Sequence, residues 1–266
     1  MQHGAKHAGK RHAKLRPVLF PLGEGLALPL WYPVSRVRAT EGSRWGFMVT
    51  FPAMPPLFIT FEGLDGSGKS THLRCASAWL KERGVPHVVT HEPGGTPLGD
   101  ALRGVFLDAR WGAVDGVVEL LLVFASRRQH LLEVIDPALR EGKHVLCDRF
   151  TDSTRAYQGY GRGVPLETID QVDRLATGGR RPDRTLLFDL SAERARARGH
   201  SPSRRERGTA DRLDAEALEF YARVRRGFLK MARGEARFRI IPSSGSVTAT
   251  ETRVRRALAD LLEGAA

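Results

Sequence analysis

The chain predicts an α/β fold, a parallel sheet with helices on both faces, and three observations predict it. From residue 57 onward, short apolar runs of strand length alternate with longer segments of helical period. The first such run leads directly into a glycine-rich turn that opens a helix, Gly63-Leu64-Asp65-Gly66-Ser67-Gly68-Lys69-Ser70. Each strand-length run is followed by a helical segment before the next, the alternation that gives a parallel sheet. With 266 residues, 41% of them hydrophobic, the chain has material for one sizeable core.

Taken in order, Leu57 to Phe61 reads as the first strand, Lys69 to Arg83 as a helix and His87 to Thr90 as the second strand. Helices are expected at Leu98 to Leu107 and, longer and apolar on one face, at Val117 to Arg140, where Glu141-Gly142 ends the run. His144 to Cys147 is a further strand, and the segment after it, Thr151 to Gly159, reads as a loop. Pro165 to Ala176 is a helix, Thr185 to Leu190 a strand, Ala215 to Ala232 a helix, Phe238 to Ile241 the last strand and Thr248 to Leu262 the closing helix. Residues 1–53 mix His, Lys and Arg with Gly and Pro without a sustained period. They are expected to be a disordered extension or the product of a start assigned too far upstream, with Met54 or Met48 as the true initiator, which leaves residues 54–266 as the catalytic domain.

The net charge is +12, a balance that invites nucleic-acid binding. Its distribution argues against that, because residues 1–53 hold eight Lys and Arg against two Glu, and much of the remainder follows residue 193. We expect no nucleic-acid partner. No apolar run reaches the roughly 18 residues of a membrane helix, so no membrane partner is expected either. Two cysteines, Cys75 and Cys147, make neither a disulfide framework nor a metal motif, and point to the reducing cytoplasm.

The glycine-rich turn matches the spacing of a phosphate cradle, G-x-x-x-x-G-K-[ST]. Its backbone N–H groups and the helix N-terminus face the phosphates of a nucleoside triphosphate, Lys69 reaches the β and γ oxygens, and Ser70 offers a hydroxyl to Mg²⁺. ATP and Mg²⁺ are therefore the expected cofactors, with Gly63, Leu64, Asp65, Gly66, Ser67, Gly68, Lys69, Ser70 and Thr71 binding the nucleotide. The base-reading motif of a GTPase is missing from the late segment Ile241 to Ser246, and the cradle by itself does not choose the acceptor.

On the acceptor side stand His91-Glu92-Pro93-Gly94-Gly95-Thr96, then Asp148-Arg149-Phe150, then Ser153-Thr154-Arg155-Ala156-Tyr157-Gln158-Gly159. With the phosphate cradle, the helix around Glu119 to Arg140 and the segment Ala176 to Asp189, this ordered set resembles the thymidylate kinase family over residues 57 to about 262. The resemblance implies a P-loop nucleoside monophosphate kinase fold with five parallel strands and a small mobile lid, dTMP as the small-molecule substrate, and a homodimer. It implies Arg149 and Arg103 as the arginines on the acceptor phosphate, Arg127 with Ser126 at the thymine edge, and Gln158 with Ser153 or Thr154 at base and sugar. Tyr157 then packs on the deoxyribose, Asp65 and Glu92 lie near the 3'-hydroxyl and the phosphates, and Asp148 joins Ser70 at the metal. His130, on the same helix as Arg127, is read as structural.

Three departures from the family pattern stand out. Val123, beside Phe124, takes the place of a base-stacking phenylalanine; His91 replaces an arginine; and no Asp or Asn stands near Pro242. The segment 192–212 carries seven arginines and is expected to be the lid. Members of the family this chain resembles carry a basic residue either inside the cradle or in the lid; with Ser67 in the cradle, the resemblance implies Arg194, Arg198 and Arg204 as catalytic candidates beside Lys69, Arg149 and Asp65, with Arg212 a further one. Transfer of a phosphoryl group onto an ionised phosphate oxygen needs no proton-abstracting base. Competing readings are another nucleoside monophosphate or deoxynucleoside kinase of the same fold, or a nucleotide-sensing binding module.

Overall fold

The structure, a computed structural model, describes residues 55–199 and 212–263; the expectations for residues 1–53 and for Arg204 lie outside them. Five strands form one parallel sheet: β1 (Phe58–Gly63), β2 (His87–His91), β3 (His144–Asp148), β4 (Arg184–Asp189) and β5 (Phe238–Pro242), in the order β2-β3-β1-β4-β5. β1 is central, and Phe61 pairs with Asp148 on one side while Gly63 pairs with Phe188 on the other. The chain thus winds first to one side of β1 and then to the other, which opens a crevice at the carboxyl ends of the strands.

Side-chain alternation along β1 assigns its two faces. Ile59 and Phe61 join Leu146, Leu186 and Phe188 under α1 (Lys69–Glu82) and the closing helix, through Leu73, Trp79, Leu80, Val254 and Leu258. Phe58 joins Val145, Cys147 and Phe150 under Leu131, Ile135 and Ala138. Each buried Leu, Ile or Phe contributes about 1.5–3 kcal/mol, so these two layers hold the sheet. Thr60 and Glu62, which share the face of Phe58, are buried but paired: Thr60 Oγ1 lies 2.9 Å from Thr185 Oγ1, and Glu62 accepts from Phe150 N at 2.7 Å.

The helices follow the expected ranges closely, with two differences. The run 117–140 is α3 (Gly116–His130), a wide π turn (Leu131–Ile135) and α4 (Asp136–Arg140), so the ladder loosens in the middle. Residues after β3 are not a loop: α5 (Thr151–Thr154) runs on through a π turn, Arg155–Gly161. Gly159 and Gly161 let Ile169, Leu166 and Phe220 pack against that turn, and this tertiary packing holds a helix that the local sequence does not signal. The others are α2 (Pro97–Leu107), capped by Thr96, α6 (Leu166–Thr177), α7 (Ala192–Gly199), α8 (Leu218–Gly234) and α9 (Val247–Glu263). No helix among the described residues is long and apolar enough to cross a membrane.

Candidate active site

The phosphate cradle forms where β1 ends and α1 begins. Gly63, Gly66 and Gly68 have φ of 135°, 79° and 94°, and a Cβ on Gly63 would stand 2.5 Å from Phe188 O. Only glycine fits that close approach. Lys69 lies across the cradle, donating to Leu64 O at 2.9 Å with its nitrogen 3.7 Å from Asp65. Burial pushes its ammonium below the ordinary value, Arg149 adds to this, and Asp65, Asp148 and Glu62 oppose it. Ser70 donates to Asp148 Oδ2, so two hard oxygen donors meet at the helix N-terminus, a set that suits Mg²⁺.

Arg149 is the only non-glycine residue with positive φ, 74°, among the described residues. Backbone bonds hold it there: Arg149 N donates to Phe61 O at 3.1 Å, and Phe150 N to Glu62. Its guanidinium donates to Gly63 O at 3.0 Å, Ser153 Oγ at 2.7 Å, Asp65 Oδ1 at 2.7 Å and Tyr157 Oη at 3.2 Å. Burial alone would lower this group, but Asp65, Tyr157, Asp148 and Glu62 outweigh it and hold it above its ordinary value. Tyr157 also donates to Asp65 Oδ2 at 3.1 Å, and burial drives its phenol up. One arginine therefore joins the cradle to the acceptor side.

A cleft open to solvent lies behind Arg149. Asp65, Glu92, Arg103, Arg127, Ser153, Thr154, Tyr157 and Gln158 line it, together with Phe106 and Leu213, which the sequence does not flag. A second cleft holds Lys69, Ser70, His91 and Asp148, and the two share Asp65, Glu92, Arg103 and Arg149. Arg103 donates to Pro93 O at 3.0 Å across the cis Glu92–Pro93 peptide.

Arg127 is 1% exposed, yet its Nη1 has no hydrogen-bond partner. Its Nε donates to Glu92 at 2.7 Å and its Nη2 to Thr154 Oγ1 at 3.0 Å. A buried guanidinium nitrogen without a partner, in a side chain that lines a cleft, is a demand for an acceptor atom such as a base carbonyl. Glu92 has no oxygen to spare, because its Oε1 is 2.9 Å from His130 Nδ1, while His130 Nε2 lies 2.6 Å from Thr90 Oγ1. Its placement makes it the strut that aims Arg127, and His130, read as structural, is the link that braces the strut.

Not every residue singled out in the sequence lines the cleft. Ser126 does not join Arg127 at the cleft: it is wholly buried, and its hydroxyl accepts from Gly94 N at 2.9 Å, because consecutive helix residues point about 100° apart. For the same reason Val123 faces the cleft while Phe124 packs with Leu120, Val164 and Ile169, so the cleft wall at this point is aliphatic. Burial and then Arg103 lower the His91 imidazole below its ordinary value, with Asp100 opposing at 3.5 Å. Arg212 is not a free lid arginine. It is 5% exposed and paired with Glu119 at 2.7 Å. In α7, Arg194 is exposed, and Arg198 Nη1 donates to Ser243 O at 3.3 Å in the loop after β5.

Comparison with known proteins agrees with this geometry. The thymidylate kinase family profile matches residues 61–254. The chain is 42% identical over 207 residues to thymidylate kinase of Symbiobacterium thermophilum, covering 77% of this chain and 94% of that one. It is 47% identical over 210 residues to that of Geobacter sulfurreducens, covering 77% and 95%. The solved thymidylate kinase of Ehrlichia chaffeensis is similar with a TM-score of 0.61 and 34% identity, over 76% of this chain and 98% of that one.

Proposed function

The chain belongs to the thymidylate kinase family and phosphorylates dTMP, and from that premise we propose how its residues carry the transfer. ATP with Mg²⁺ lies in the cradle, dTMP lies in the cleft behind Arg149, and the γ-phosphoryl passes in line onto a dTMP phosphate oxygen to give dTDP and ADP. The observation that carries this is the junction of the two clefts at Asp65, Glu92, Arg103 and Arg149. Arg103 and Arg149 line both clefts and grip the acceptor phosphate, since guanidinium forks match phosphate oxygens. Arg127 Nη1 meets the base carbonyl, Gln158 and Thr154 border the base, and Tyr157 packs on the sugar.

The work is positioning and charge neutralisation. Lys69 follows the β and γ oxygens, and Asp65 keeps Arg149 and Tyr157 in register with the cradle. Mg²⁺, when bound, draws charge from those oxygens, and Ser70 with Asp148 would hold it. Arginines of the segment 192–212 complete the charge balance, with Arg194, Arg198 and Arg204 as candidates, and the same segment excludes water as a competing acceptor. We take residues 54–266 as the catalytic domain and the cytoplasm as its compartment, a reading supported by Cys75 and Cys147 both being free thiols.

A homodimer through α2 and α3 is part of this reading. Leu98 and Val105 on α2 and Val117, Val118 and Leu121 on α3 are all exposed, and the two helices pack together. A coupled ADP-release assay with dTMP, dUMP, dCMP, AMP, GMP and thymidine tests the chemistry. The expected outcome is an Mg²⁺-dependent, Arg149-dependent preference for dTMP; turnover of thymidine alone, or turnover indifferent to Arg149→Ala, overturns it.

A further inference from the structure

Glu119 takes part in none of the steps above. It is nevertheless wholly buried on α3, in the middle of an apolar run, and donors from three directions converge on it. Gln158 Nε2 donates to its Oε2 at 2.9 Å. Arg212 Nη1 lies 2.7 Å from its Oε1, and Arg162 donates to it through Nη2 at 3.0 Å and Nε at 3.2 Å. Arg162 is itself shared with Glu216 at 2.6 Å. A carboxylate is taken into a core only where such donors compensate it, so the arrangement is built around this residue.

The consequence falls on Gln158. An ionised carboxylate accepts and cannot donate, so only the amide nitrogen of Gln158 can face it. The amide is planar and Gln158 lines the acceptor cleft, hence its Oε1, an acceptor, is the end left for a ligand. Arg127, which lines the same cleft, carries the unpartnered Nη1, a donor. A donor beside an acceptor complements the carbonyl and N3–H of a thymine or uracil imide. Cytosine presents the opposite pattern.

We propose that Glu119 is the positioning residue for base selection: it fixes the carboxamide of Gln158 so that the cleft reads the imide N–H, and through Arg212 it pins the segment that bears Leu213 on the cleft wall. This rests on the assignment of the cleft to dTMP. Arg212 serves that second task by also donating to Phe106 O at 3.3 Å, which joins two wall residues to the same carboxylate.

Glu119→Gln tests the proposal. The two arginines claim the new carbonyl, so the new amide nitrogen faces Gln158, whose amide turns over and presents Nε2 to the base. KM for dTMP is expected to rise about ten- to hundredfold, with kcat and KM for ATP far less affected, and the dTMP-to-dCMP ratio of kcat/KM to narrow. Adding Gln158→Glu restores an acceptor toward the base and is expected to recover KM for dTMP. An unchanged KM and ratio, or an equal loss for dTMP and dCMP without recovery in the double variant, overturns the proposal. Should Glu119→Gln not fold, Gln158→Met in the presence of Glu119 must narrow the same ratio, and an unaltered ratio overturns it equally. Wild type and Arg149→Ala run alongside separate the two failures. Wild type without Arg149-dependent dTMP turnover rejects the assignment of the cleft, whereas normal wild type with an unaltered Glu119→Gln rejects only the role of Glu119.

Discussion

Arg149 combines a backbone conformation unfavourable for any side chain with four hydrogen bonds from its guanidinium to the cradle and acceptor sides. Strain of this kind costs about 1–3 kcal/mol and persists because the function of the side chain requires it. Arg149→Gly relieves the strain and Arg149→Ala does not, so chemical denaturation is expected to find the glycine variant about 1 kcal/mol more stable than the alanine one. Both should lose dTMP turnover alike. Glu62, beneath the same arginine, gives a pH signature. Burial, with Asp152 adding and Arg149 opposing, pushes its carboxyl up to about 8, from an unfolded value of 4.5. Between those values the native state binds more protons than the unfolded one, so this residue's contribution is complete below about pH 4.5, falls as pH rises and is gone above about pH 8. Urea midpoints from pH 5 to 9 should show that decline in wild type and lose it in Glu62→Gln.

At the scale of elements, the sequence locates the strands and most helices well because each has a local cause. Thr96 caps α2 with Pro97 at its first turn, Asp115 caps α3, and Gly178 in the left-handed region ends α6. The helix over Thr151–Gly161 has no such signal, since its glycines argue for a loop and its support comes from Ile169 and Phe220, distant in sequence. Within α7, the two described candidate arginines are in different situations. Arg198 ties α7 to the loop after β5, whereas the exposed Arg194 is the candidate to test for charge neutralisation. If Arg194 has that role, Arg194→Ala should lower kcat by on the order of 10³ in steady-state assays; retention of turnover would move the role elsewhere in the arginine-rich segment.

For the whole molecule, the exposed apolar face of α2 and α3 sits on the helices that carry Arg103 and Arg127, so a dimer formed through that face would share its supports with the site. Leu121→Lys places a charge in that face without touching the cleft. Sedimentation is expected to show the wild type as a dimer and this variant as a monomer; a wild type already monomeric would reject the dimer. The sequence by itself determined the phosphate cradle, the sheet class and, through ordered motifs, the acceptor. These are legible because the groups that act lie next to each other in the chain and their geometry follows from local backbone rules. Tertiary structure decided how neighbouring side chains on α3 are divided between cleft and core. Ser126 or Arg127, Val123 or Phe124, and Arg212 as anchor rather than lid were settled by how α3 is rotated against its neighbours, and rotation is fixed by packing between residues up to about a hundred positions apart, such as Phe106 and Arg212, which no local pattern encodes.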